Sequence, residues 1–112
     1  MIDIREYLDR GGISPFREWR GNLDPEARRK VTTALYRIGL GNFSNVKGVS
    51  AGVFECRINF GPGFRVYFGK DGEQVVILLG GGTKQRQQID ISLALDRWDD
   101  YKQRKRQKKE GE

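Results

Sequence analysis

The chain has no histidine, one cysteine, one methionine and three prolines in 112 residues. Each scarcity removes a class of chemistry. Without histidine there is no Ser–His or Cys–His nucleophile pair. A lone cysteine, Cys56, forms no internal disulfide, and its place in an apolar alternation suits a small buried side chain. With no imidazole, a single thiol and no helical carboxylate pair in ligand geometry, metal ligation is poorly served, and no cofactor is expected. No apolar run approaches the ~18 residues of a membrane span. Met1 to Arg10 is charged and lacks the apolar block of a secretory signal. Together with the cysteine usage this predicts a cytoplasmic protein with no membrane partner.

Charge is present in excess. Twenty-one basic residues face 15 acidic ones, a formal net charge of +6. Lys102 to Glu112 holds six basic and two acidic residues, so it carries +4 and leaves +2 for the body. A cationic chain favours phosphate polymers. A basic terminal run also occurs as a solvated end. The expected organisation is one domain over residues 1–101, large enough to bury roughly 60–70% of its unfolded surface, followed by a basic, disordered tail over 102–112.

The local signals order the chain. Ile2 to Leu8 alternates as a first, edge strand, and Gly11-Gly12 breaks it. Ser14-Pro15 starts a short helix that brings Phe16 and Trp19 together. Asp24-Pro25-Glu26 starts a second, in which Ala27, Val31, Ala34, Leu35 and Ile38 follow helical spacing. Arg28, Arg29, Lys30 and Arg37 occupy its other sides, either as a solvated face or as a strip against RNA. Three antiparallel strands follow, at Gly52–Phe60, Gly63–Phe68 and Gln74–Leu79. Gly61-Pro62-Gly63 and Lys70-Asp71-Gly72 supply their turns. Thr83 caps a last helix, whose Ile91, Ala94, Leu95 and Trp98 return to the sheet. The expectation is an α+β domain: an antiparallel sheet of about four strands, two N-terminal helices and one C-terminal helix, with the helices against one sheet face.

Side chains alternate across a strand. Phe54, Cys56, Ile58 and Phe60 therefore share a face that Phe64, Val66 and Phe68 can join. Arg57, Arg65 and Tyr67 fall on the other, and Lys84 follows Gly80-Gly81-Gly82. That glycine run lacks the GxxxxGK[ST] pattern of a nucleotide-triphosphate loop, although glycines before a helix expose amides to an anion. RNA cleavage needs no protein nucleophile, because the RNA 2′-hydroxyl attacks the neighbouring phosphate. Arg57 and Arg65 suit charge stabilisation on that phosphate. Lys84 can do the same or move a proton. Tyr67, Asp90 and Glu55 are further proton-transfer candidates, and Glu55 is equally placed to pair with Arg57.

Leu40-Gly41-Asn42-Phe43, Gly61-Pro62-Gly63-Phe64-Arg65-Val66-Tyr67-Phe68, Val76-Ile77-Leu78-Leu79, Gly81-Gly82, Lys84, Gln87 and Asp90-Ile91 together resemble a RelE/HigB-type toxin of bacterial type II toxin–antitoxin modules. The likeness is greatest to the phage-protein-like addiction module killer branch of the RelE/ParE superfamily. It extends nearly to Trp98. It implies a metal-independent, ribosome-dependent mRNA endonuclease, acting on ribosome and mRNA and silenced by a cognate antitoxin with a DNA-binding domain. The resemblance puts the family's basic positions on Arg57, Arg65 and Lys84; with Asp90 these form the expected catalytic set, and Tyr67, Arg86 and Gln87 the expected RNA-binding set. Thr83 stands where relatives carry aspartate, and Gln85-Arg86 where they carry Ser-Thr. Ile89 and Asp90 occupy the place of a tyrosine or histidine found in some relatives, which leaves the general base open. The alternative within the same superfold is a non-enzymatic, ParE-like poison of DNA gyrase. A plain RNA-binding module is a third reading.

Overall fold

The structure, a computed structural model, describes residues 1–110. Strand β1 spans Asp3–Glu6, helix α1 Pro15–Gly21 and helix α2 Pro25–Gly39. Strands β2 (Val46–Ser50), β3 (Val53–Ile58), β4 (Phe64–Lys70) and β5 (Val75–Thr83) follow. A 3₁₀ turn at Lys84–Arg86 leads into helix α3, Gln87–Glu110. Both N-terminal helix starts take the form their residues dictate. Ser14 accepts from the Arg17 amide at 3.0 Å, Asp24 accepts from the Ala27 amide at 2.9 Å, and a proline occupies the first turn of each helix. Thr83 makes no side-chain cap, and the 3₁₀ turn takes its place.

The sheet has five strands in the order β1-β5-β4-β3-β2 and is mixed, so the expectation of about four antiparallel strands is corrected. Two features account for the difference. Val46–Ser50 forms an antiparallel edge strand against β3, with only Val46 and Val49 half-buried in it. Its glycine and serine hide the alternation that marks a strand. β1 runs parallel to β5, from Asp3 beside Val75 to Glu6 beside Leu78. Strand direction is a property of the chain path, and no local residue pattern encodes it.

Helices cover both faces rather than one. Phe16, Val31 and Ile38 from α1 and α2 pack on Cys56, Val66, Phe68 and Leu78. On the opposite face Ala94 and Trp98 of α3 pack on Val53, Tyr67, Ile77 and Leu79. The apolar run Val76–Leu79 is buried throughout because β5 is interior to the sheet and covered on both sides.

The three glycines after Leu79 lie within β5, paired with Tyr67, Val66 and Arg65, and so do not form an anion-binding loop. Their small size serves packing instead. A Cβ at Gly81 would enter the Trp19 indole, one at Gly82 the Asp90 carboxylate, and one at Gly80 would meet the Arg97 guanidinium. The register slips between Tyr67 and Phe68, which leaves Leu79 as the extra residue of a bulge. That slip places both Leu79 and Gly80 toward α3.

The expected disordered tail is also corrected. α3 continues as helix through Glu110, while Gly111 and Glu112 lie outside the described residues. Polar anchors carry the helix past its last aromatic side chain. Asp71, in the β4–β5 turn, accepts from the Tyr101 hydroxyl and the Lys105 ammonium, each at 2.6 Å. Asp100 accepts from the Tyr7 hydroxyl at 2.7 Å and pairs with Arg104 at 2.7 Å. Among the described residues, no helix is long and apolar enough to cross a membrane.

These anchors titrate. Hydrogen bonds from Lys105, then Tyr101, hold the Asp71 carboxyl below its ordinary value. Hydrogen bonding from Tyr7 does the same for Asp100. A depressed folded-state pKa contributes stability above the unfolded value of about 3.9, and that stability is lost as pH falls through the lower folded value. Helical ellipticity at 222 nm is therefore expected to fall below about pH 4, and Asp71→Asn should remove part of that transition. A helix signal unchanged between pH 6 and pH 2 would show that the anchors hold nothing. On the alkaline side burial, then the Asp71 hydrogen bond, pushes Tyr101 up to about 12, so its half of the pairing outlasts the ordinary phenol range.

Candidate functional site

The residues singled out by the strand alternation meet at the end of the α3 face that the helix leaves partly open. Arg57 lies directly opposite Arg65 across β3 and β4. Glu55 lies opposite Tyr67 on one side and opposite Lys47 of β2 on the other. Two arginines facing each other in a sheet would repel. Glu55 offsets this. Its carboxylate is completely buried and lies 3.3 Å from Arg57 Nε, 3.4 Å from Arg65 Nε and 3.8 Å from Lys47 Nζ. Gln87, at the start of α3, donates its side-chain amide at 3.0 Å to Oε2, the carboxylate oxygen that also faces Arg65.

One negative charge is thus ringed by three positive ones. The two arginines differ in access: the Arg65 side chain is 8% exposed and that of Arg57 50%. Arg65 Nε is within ion-pair range of Glu55 but has no aligned hydrogen-bond acceptor.

Lys84 is tied through its backbone to the turn that precedes Arg65. Its backbone amide donates to the Gly63 carbonyl at 2.9 Å. Gly63 has φ +80°, and a Cβ there would lie 3.6 Å from Lys84 Cβ and 4.0 Å from Arg65 Nη1. Glycine therefore makes the turn and keeps clear the space between the Lys84 Cβ and the Arg65 guanidinium. Asp90 lies over Gly82, the residue paired with Arg65. Its Oδ2 is buried with no partner, and burial raises its pKa against the pull of Arg86 and Arg97. Arg86 itself is exposed on the 3₁₀ turn.

Two expectations change in detail. Tyr67 is 1% exposed, under α3, so its ring is not free to stack on a base. Its hydroxyl has no partner, and burial, then Glu55 and Asp90, push it up to about 12. Gln87 is engaged with Glu55 and so supports the arginines rather than projecting toward a ligand. Sequence reasoning missed Lys47, because β2 was not legible as a strand. Glu55 carried a signal, two residues before Arg57 on the same face, but its role as the hub required the register.

No family model matches the chain. An uncharacterized protein of Haemophilus influenzae is 40% identical over 80 residues, which span 70% of this chain and 81% of that protein. The chain belongs to that protein's family.

In this family member the cluster has the chemistry to attract an anion. The buried carboxylate accepts from Arg57 Nε at 3.3 Å and pairs with Arg65 by charge. The excess of positive charge remains after Glu55 is counted. Because the donors are held in place before a ligand arrives, little reorganisation is needed to stabilise charge that develops on it.

Proposed function

We propose that the chain is a RelE/HigB-type toxin with a RelE/ParE-like fold: a ribosome-dependent mRNA endonuclease that inhibits translation and is neutralised by a cognate antitoxin. The observation that supports this most is the Arg57–Arg65 pair, held face to face by the buried Glu55 with Lys84 at its flank. The RNA 2′-oxygen attacks the adjacent phosphorus, the bond from phosphorus to the 5′-oxygen breaks, that oxygen takes a proton from water, and the products are a 2′,3′-cyclic phosphate and a 5′-hydroxyl. Arg57 and Arg65 take up the charge that accumulates on the phosphorane, with Lys84 adding a third cation. Glu55 is committed to the cations and is a poor base. Asp90 forms no ion pair among the described residues and receives the 2′-hydroxyl proton.

Inducing the protein in cells and mapping the 5′ ends of mRNA tests the proposal. New 5′-hydroxyl ends inside translated frames are expected, and they should vanish with Arg57→Ala at equal protein level. DNA breaks that precede any loss of translation, with no new RNA ends, would favour the gyrase-poison alternative and overturn the nuclease.

A further inference from the structure

A second basic feature lies on the other side of Arg57. A cleft of about 340 Å³ opens between α2 and the β2–β3 edge. Lys30 and Arg37 line it from α2, Asn42 and Asn45 from the loop after α2, and Arg57 and Asn59 from β3 and the turn beyond it. No acidic side chain lines it. Lys30 and Arg37 are seven residues apart, about two helical turns, and so share a helix face. Both are exposed, and neither forms an ion pair among the described residues. Both line a shaped space, and the Lys30 ammonium also lies 5.4 Å from the Phe60 ring centre.

The rim of the cleft is fixed before any ligand arrives. Asn42 N donates to Arg37 O at 2.9 Å, Ser44 N to Asn42 Oδ1 at 3.0 Å, and Arg57 N to Asn45 O at 3.0 Å. Between Asn42 and Ser44, Phe43 is held by the Lys70 ammonium, which lies 4.3 Å from its ring centre and 4.7 Å from that of Phe54.

We propose that this cleft binds one nucleotide of single-stranded RNA, next to the phosphate gripped by Arg57 and Arg65. Its place beside a scissile phosphate rests on the nuclease reading, whereas its RNA chemistry does not. Lys30 and Arg37, neither of them paired with a carboxylate among the described residues, call for an anionic ligand. The asparagines choose between kinds of anion. An acidic peptide side chain offers only acceptors and would be met best by donors alone. Side-chain amides both donate and accept, which matches the edge of an unpaired base. The volume is at the small end of ligand sites, in keeping with a single unit rather than a duplex. Arg57 is common to the cleft and the Glu55 cluster, so a strand held at one continues into the other.

The test is fluorescence anisotropy with a 2′-O-methyl RNA oligonucleotide, which binds but cannot be cleaved, and with poly-glutamate as a second probe. Lys30→Ala with Arg37→Ala should weaken RNA binding at least tenfold and leave the melting temperature in place. The slope of log affinity against log salt should become shallower by about 0.7, the contribution of the one phosphate that is no longer neutralised. Asn45→Ala with Asn59→Ala should alter preference among homopolymers and leave the slope alone. Unchanged RNA binding by the double cation variant at every salt concentration would overturn the cleft. Equal binding of poly-glutamate, abolished in the same variant, would overturn RNA in favour of an acidic protein segment. The two proposals fail separately. Cleavage that depends on Arg57 with intact binding in the cleft variant sinks the cleft alone. Cleft-dependent RNA binding with no cleavage in cells sinks the nuclease alone.

Discussion

Glu55→Ala is expected to cost about 3–5 kcal/mol of folding stability, the penalty for stripping one partner from a buried ion cluster. A domain of this size has roughly 5–15 kcal/mol in total, so the loss removes between about a fifth and all of it. The cause is specific. Arg65 is only 8% exposed and faces Arg57 directly, with Lys47 beside them on β2. Removing the carboxylate leaves a desolvated guanidinium with like charges for neighbours and strands the Gln87 amide as well. Denaturant titration measures the effect. Pairing Glu55→Leu with Arg65→Met should recover most of the loss, because an apolar pair of similar volume avoids the desolvation that the ions incur. A Glu55→Ala protein within about 1 kcal/mol of the parent would mean that the carboxylate does not hold the arginines in place.

The same register explains which parts of the molecule were legible in sequence and which were not. The caps at Ser14 and Asp24 act within one turn, and local residues were enough to place both N-terminal helices. The alternation of Glu55-Cys56-Arg57 and Phe64-Arg65-Val66 assigned each side chain to a face, because a strand offers only two choices. The hairpins were marked by their turn residues. What escaped depended on distant partners. The direction of β1 is decided by β5, more than 70 positions away. The glycines of β5 look like a loop until Trp19, Asp90 and Arg97 are seen lying on them. α3 covers the second sheet face because Tyr67, Ile77 and Leu79 form an apolar stripe there, a fact that needs the pairing of β4 with β5. The basic end of α3 remains helical because Asp71 lies beneath Tyr101 and Lys105. In the candidate site the cations were legible and their organiser was not. A glutamate two residues from an arginine is common on strands. Only the pairing with Lys47 and Arg65 from two neighbouring strands shows that it is the centre.

Arg65→Lys should separate holding the fold from doing the chemistry. The lysine keeps a positive charge beside Glu55, so the carboxylate stays paired and most of the stability should survive, in contrast to Glu55→Ala. The planar fork is lost. An ammonium is a compact point charge and cannot satisfy Glu55 on one side while presenting two parallel N–H groups to a phosphate on the other. On the nuclease proposal the variant should lose about 10²–10³ in cleavage rate, the usual consequence of removing one fixed donor from developing charge. Single-turnover cleavage of ribosome-bound mRNA gives the rate, and thermal melting of the same preparation gives the stability. Arg57→Lys is the internal comparison. Arg57 is half exposed, and solvent can replace part of what it loses, so its rate should fall less. If Arg65→Lys cleaved within about threefold of the parent, transition-state charge at Arg65 would amount to less than about 1 kcal/mol. The buried arginine would then be a structural counter-ion to Glu55, and catalytic stabilisation would have to come from Arg57 and Lys84.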